Sequence, residues 1–129
     1  MSDCPQELHY TNTHEWVKLE SDDTVTVGVT DHAQSQLGDL VFVELPNTDI
    51  EVGKGEDLVV LESVKTAADV YAAVSGEVIE VNAQLNEKPD LINEDPYGNG
   101  WIYKIKLSDA SELDELMSAE EYLAHISEE

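Results

Sequence analysis

Between Leu58 and Val81 short apolar runs alternate closely with turn residues, the usual signature of successive β-hairpins. Leu58-Val59-Val60-Leu61 and Val70-Tyr71-Ala72-Ala73-Val74 read as two strands, and the polar Glu62-Ser63-Val64-Lys65-Thr66-Ala67 between them reads as a turn. Val, Leu and Tyr favour pleated backbone, and so short a connection forces its residues to the hairpin tip. Lys65 is the only basic residue in the turn. Ser63, Ala67 and Ala68 are small and leave its amine open, while Glu62 and Asp69 frame it with negative charge. Gly76 and the alternating Glu77-Val78-Ile79-Glu80-Val81 begin a second hairpin at once. A lysine so displayed suits recognition by a modifying enzyme; the plainer reading is a solvated surface charge.

At 129 residues the chain has room for one domain with a true core, residues 1–129, and not for two. Its 29 acidic residues against 6 lysines and no arginine give a formal charge of -23, which argues against nucleic acid or anionic membrane as partner. Basic protein surfaces are the expected partners, steered by a field that salt weakens. Solubility, or a salty or cold habitat, accounts for the same excess. The single Cys4 offers neither a disulfide framework nor a metal-type pair. No apolar run approaches the ~20 residues of a membrane span. The acidic start lacks the features of an export signal or a transit peptide, so the sequence implies a cytoplasmic protein, from a prokaryote or in mature form.

Upstream, a polar segment leads into a strand around Trp16, and Thr24-Val25-Thr26-Val27-Gly28-Val29 alternates as a strand with one buried face. Thr30 is placed to cap a helix over Asp31–Leu37 that Gly38 ends. Leu40–Leu45 reads as a strand stopped by Pro46, and Gly53 and Gly55 as a turn. Asn82–Asn99 reads as a long ordered loop, and Trp101–Leu107 as a strand with Trp101, Tyr103, Ile105 and Leu107 on one face. From about residue 109 the period becomes helical, and Ser118-Ala119-Glu120-Glu121 forms a capping box ahead of Tyr122. The expected fold is mainly β: a hairpin barrel or sandwich with short helices and a C-terminal helical extension. Val25, Val27, Val41, Val43, Val59, Val78, Trp101 and Ile105 are the expected core contributors.

His9, His14, His32 and His125 show no tight ligand spacing, and on a strand His14 and Glu15 would point to opposite faces. No metal site is expected. No serine sits in a Gly-flanked nucleophile turn, and the glycines make no phosphate loop.

Glu62-Ser63-Val64-Lys65, followed by Val74-Ser75-Gly76-Glu77, resembles the lipoyl-lysine hairpin of the glycine cleavage system H protein family. Two further matches stand in the same order: Tyr10, a few polar residues, then His14-Glu15-Trp16; and Thr30-Asp31-His32-Ala33-Gln34 before Leu37-Gly38-Asp39. The resemblance runs from about Leu8 to Tyr122 and implies that the hairpin barrel or sandwich is of the lipoyl/biotinyl type. It implies a non-catalytic carrier with lipoate in amide linkage on Lys65. The arm would take an aminomethyl group from glycine decarboxylase, give the one-carbon unit to tetrahydrofolate through aminomethyltransferase, and be reoxidised by dihydrolipoamide dehydrogenase. A lipoate ligase or lipoyl transferase would install it. The resemblance also implies that the loaded arm docks against Thr13, Glu15 and Asp69.

This chain departs from the family pattern at three places: Thr66 where Ala is common, Ala73 where Pro is common, and Thr13 where Ser is usual. None removes the attachment chemistry, although losing the proline costs up to ~1 kcal/mol through the unfolded chain. Three other readings stay open. A lipoyl or biotinyl domain of another complex is one, although biotinyl hairpins place Met where Val64 and Thr66 stand. The others are a lipoate-relay protein and an acidic interaction protein with Lys65 unmodified.

Overall fold

The computed structural model describes residues 7–21 and 23–127, with the Ser21 side chain left aside, so Cys4 and Asp22 lie outside the described residues. Among the described residues nine strands form two antiparallel sheets. The larger has the order β1 (His9–Tyr10), β2 (Glu15–Ser21), β3 (Thr24–Val29), β9 (Tyr103–Leu107), β8 (Gly76–Val81), β5 (Ile50–Val52). The smaller has β4 (Leu40–Glu44), β6 (Asp57–Ser63), β7 (Ala67–Tyr71), with β6 in the middle. One core joins them, to which Val17, Val25, Val27 and Ile105 contribute from the larger sheet and Val43, Val59, Leu61 and Val70 from the smaller. Each such side chain contributes about 1.5–3 kcal/mol on leaving water.

Helix α1 (Asp31–Leu37) begins where the Thr30 hydroxyl accepts from the Ala33 amide and ends at Gly38, whose φ of 85° suits a residue without a Cβ. The segment 82–99 carries more structure than a loop: a 3₁₀ turn (Ala83–Asn86) and the single-turn α2 (Leu91–Glu94), which bury Leu85 and Ile92 completely. At the C-terminus a 3₁₀ stretch (Ala110–Glu115) precedes α3 (Ala119–Ser127), and Ser118 and Glu121 exchange the two hydrogen bonds of the capping box at 2.9 and 3.2 Å. Helix α3 packs on the start of the chain, where Tyr122 stacks on Tyr10 at 4.8 Å.

Several expectations are corrected. The β4–β6 ladder slips between Leu40 and Phe42, and this bulge changes the phase of alternation, so Val41 is 55 % exposed and not a core residue. Trp101 precedes β9 and is only half-buried, beside Tyr97 and under the Lys104 ammonium, which lies 5.3 Å from its ring. Strand β3 is buried on both faces: Thr26 donates to the Glu20 carboxylate at 2.6 Å, and Gly28 lies beneath the Trp16 indole, where a Cβ would come within 2.7 Å of the ring. The second strand of the central hairpin stops at Tyr71, and Ala72-Ala73-Val74 is a buried, irregular corner. The strand β5 had no clear signal in three residues of mixed character.

Candidate functional site

The β6–β7 hairpin is closed by one side chain. Ser63 donates its N–H to the Thr66 carbonyl at 2.8 Å, while its Oγ accepts from the amides of Lys65 and Thr66 at 3.2 and 3.1 Å. The tip is thus Val64-Lys65-Thr66, all exposed. Among the described residues the Lys65 ammonium has neither a hydrogen bond nor an ion pair. Its stem runs past Gly38, where a Cβ would stand 3.2 Å from Lys65 Cε. The shelf under the stem is fixed from afar by Asn93, which accepts from the Leu40 amide at 2.9 Å and donates to the Gly38 carbonyl at 2.9 Å and the Gln34 side chain at 3.0 Å. A bare primary amine on a rigid, sterically open tip fits amide linkage to a carboxylic-acid cofactor.

Beside the hairpin lies a cavity of about 160 Å³. Thr13, Glu15 and Asp69, separated by up to 56 positions (69 − 13), all line it, together with Val29, Leu37 and Leu61. Glu15 opens β2 and is 1 % exposed. Its Oε1 accepts from the Thr11 hydroxyl at 2.5 Å and the Thr13 hydroxyl at 2.6 Å. Burial raises its pKa above the ordinary glutamate value, against the opposing pull of those hydroxyls and of the Tyr71 backbone. Asp69 stands exposed on the edge strand β7. The cavity therefore has apolar walls, one buried carboxylate with hydroxyl donors, and a second carboxylate at its rim. Such a site suits a slender apolar chain ending in a cation. Lys65 and Asp69 are four positions apart, at most about 14 Å of extended chain.

Thr11 had no signal in the sequence, yet it organises the loop: its Oγ accepts from the Glu15 amide at 3.0 Å and the Thr13 amide at 3.3 Å while donating to Glu15. His14 is not on the strand. With φ of 73° it precedes β2 and lines the cavity next to Glu15, which corrects the opposite-faces expectation. Folding also gathers histidines that sequence spacing kept apart, His14 lying 4.9 Å from His32 and 6.1 Å from His125 between ring centroids. Among the described residues no group of three or more His, Cys, Asp and Glu is arranged to hold a metal ion. A larger cleft of about 310 Å³ at the base of the hairpin is lined by Glu44, Glu51, Glu56 and Asp57, away from the lysine.

A small two-sheet β domain displaying one bare lysine on a hairpin tip belongs to the class of swinging-arm carriers. The glycine cleavage H-protein family model matches residues 8–129. The chain is 55 % identical over 129 residues to the glycine cleavage system H protein of Coxiella burnetii (strain Dugway 5J108-111), covering 100 % of this chain and 99 % of that protein. It is 56 % identical over 122 residues to that of Vibrio parahaemolyticus serotype O3:K6, covering 95 % and 97 %. A crystal structure of the H protein from Mycobacterium marinum superposes with a TM-score of 0.88 at 38 % identity, covering 95 % of this chain and 98 % of that one. The chain belongs to the glycine cleavage H-protein family. Members of this family are non-catalytic carriers with lipoate covalently attached to a lysine. They work with glycine decarboxylase, aminomethyltransferase, dihydrolipoamide dehydrogenase and the enzymes that lipoylate them. Among the described residues no helix is long and apolar enough to cross a membrane.

Proposed function

We propose that Lys65 is the lysine that carries the lipoyl group, and that Thr13, Glu15 and Asp69 hold the cationic end of the loaded arm between visits to the partner enzymes. The observation that carries this reading is that all three residues, distant in sequence, line one cavity beside the hairpin whose tip bears Lys65. Once attached, lipoate supplies a redox-active disulfide on a jointed tether, which raises the effective concentration of the carried group at each active site.

The chain's own residues provide attachment, a dock and shelter. Lys65 offers its amine at the end of a stem laid over Gly38. Glu15, desolvated, is a poor place for a negative charge until a cation arrives, and an entering ammonium offsets that cost directly. Docking therefore favours loss of the Glu15 proton. The Thr13 hydroxyl turns between Glu15 and Thr11, with which it lies within 2.6 and 3.2 Å, and can accept from the cation when it leaves one of them. Asp69 at the rim attracts the cation before it enters. The whole of residues 1–129 works as one carrier domain, and the cytoplasm is its proposed location.

The test is peptide mapping of lipoylated protein from its host, wild type beside Lys65→Arg. The expected result is a lipoyl group on Lys65 alone, and a variant that is folded but neither lipoylated nor active in reconstituted glycine cleavage. Lipoyl modification or glycine cleavage at wild-type level in Lys65→Arg contradicts the assignment.

A further inference from the structure

The hairpin tip and the strand edge paired to it expose apolar side chains. Six large hydrophobic residues are exposed among the described residues, and three of them gather here: Val41, Phe42 and Val64, at 55, 48 and 68 %. Phe42 lies across from Glu62 and Leu40 across from Ser63, with Val41 at the slip between them. Regular alternation would send one of two neighbouring residues inward, so the bulge is what turns both Val41 and Phe42 outward. The flanking Leu40 and Val43 are buried. Val64 is tied to the same edge, its amide donating to the Asp39 carbonyl at 3.0 Å. Asp39, Glu44 and Glu62 are exposed around the three, and Lys65 is the cation among them. Scattered apolar residues need no explanation, but three exposed on one paired edge with a charged rim mark an interface.

We propose that Val41, Phe42 and Val64 form the docking surface for the enzyme that acylates Lys65, whose matching face is an apolar hollow ringed by lysine or arginine. The proposal rests on Lys65 being the lipoylated residue. Reach selects this occupant among the partners. The acylating enzyme must bring its activated carbonyl to the bare amine, a single side-chain length from the tip, and so must touch the residues beside it. Enzymes that act at the far end of the finished arm stand farther off. In the step itself the neutral Lys65 amine attacks the carbonyl carbon of an acyl adenylate. The nitrogen–carbon bond forms, the carbon–oxygen bond to the nucleotide phosphate breaks with its electron pair leaving on the phosphate oxygen, and the nitrogen gives up one proton to water. The acidic rim complements a basic face and orients the approach.

Steady-state lipoylation of full-length unmodified protein by the host's lipoylating enzyme, followed by intact mass, tests this with Phe42→Ser, Val64→Ser and, as a control on an exposed residue elsewhere, Leu19→Ser. The expected result is a KM raised about tenfold in Phe42→Ser, as for losing burial of a half-exposed aromatic ring, and severalfold in Val64→Ser. The control keeps the wild-type KM, and kcat is unchanged throughout. Should Phe42→Ser fail to fold, Val64→Ser, altered only at the turn, carries the test. Unchanged KM in the folded variants overturns the proposal. So does an equal rise in the KM of glycine decarboxylase for the fully lipoylated variants, which would make the patch a general contact. Wild-type protein that takes no lipoyl group at Lys65 removes the underlying reading instead.

Discussion

Glu15 is held at 1 % exposure with two threonine hydroxyls on one oxygen, an arrangement that costs stability whenever the carboxylate is charged. The folded chain binds the Glu15 proton more tightly than the unfolded chain does. Its contribution to stability therefore falls as pH rises from the ordinary value near 4.5 through the raised value, and stays lower above it. Glu15→Gln keeps an oxygen for Thr11 and Thr13 to donate to and removes the charge. Its melting temperature relative to wild type is expected to climb across that window and to be equal or higher at neutral pH, measured by thermal unfolding at acid and neutral pH. A difference independent of pH contradicts a buried titrating carboxylate. At this scale the sequence carried Lys65 by pattern, whereas Thr13, Glu15 and Asp69 entered only through family resemblance. Nothing local marked Thr11 or Asn93, because their roles are hydrogen bonds to partners that only folding supplies.

The Tyr122 hydroxyl ties helix α3 to the wall of the cavity. The Tyr122 oxygen lies 2.7 Å from both His14 Nδ1 and Thr30 Oγ1, joining the C-terminal helix to the residue beside Glu15 and to the cap of α1, which walls the cavity. Tyr122→Phe keeps the stacking on Tyr10 and removes both bonds. A loss of about 1–3 kcal/mol in unfolding free energy is expected from urea denaturation, with near-ultraviolet circular dichroism retained. A loss within error of zero would mean that the helix is held by its apolar contacts alone. At the level of elements, periodicity found the capped helix, the alternating strands and the capping box, because each is written in consecutive residues. It misplaced Val41 because a bulge shifts phase without changing composition, and Trp101 because apolar alternation continued two residues beyond the start of β9. The helical turns within 82–99 were hidden for a further reason. Leu85 and Ile92 are anchors for a segment held by Asn82, which donates to the Asn99 and Trp101 carbonyls, and not by a local period.

Across the whole molecule, the two-sheet fold brings β2, α1 and β7 around a cavity that none of them forms alone. The fold class was legible because short strands and turns succeed one another over most of the chain. The cavity was not, since it depends on packing between sheets that periodicity leaves unassigned. The net charge of -23 gives the carrier a long-range field toward basic partners, while the cavity is the proposed retreat of its cargo from water. That retreat is the central claim, and the rate at which formaldehyde and ammonia leave aminomethyl-loaded protein, with no aminomethyltransferase present, tests it most directly. Wild type, Glu15→Gln and Asp69→Asn are lipoylated and loaded to the same extent, then followed in the same buffer. Release is expected to be about tenfold faster in Glu15→Gln, the worth of one charge-assisted hydrogen bond, and faster by a smaller factor in Asp69→Asn. Equal rates in all three proteins would contradict the docked arm.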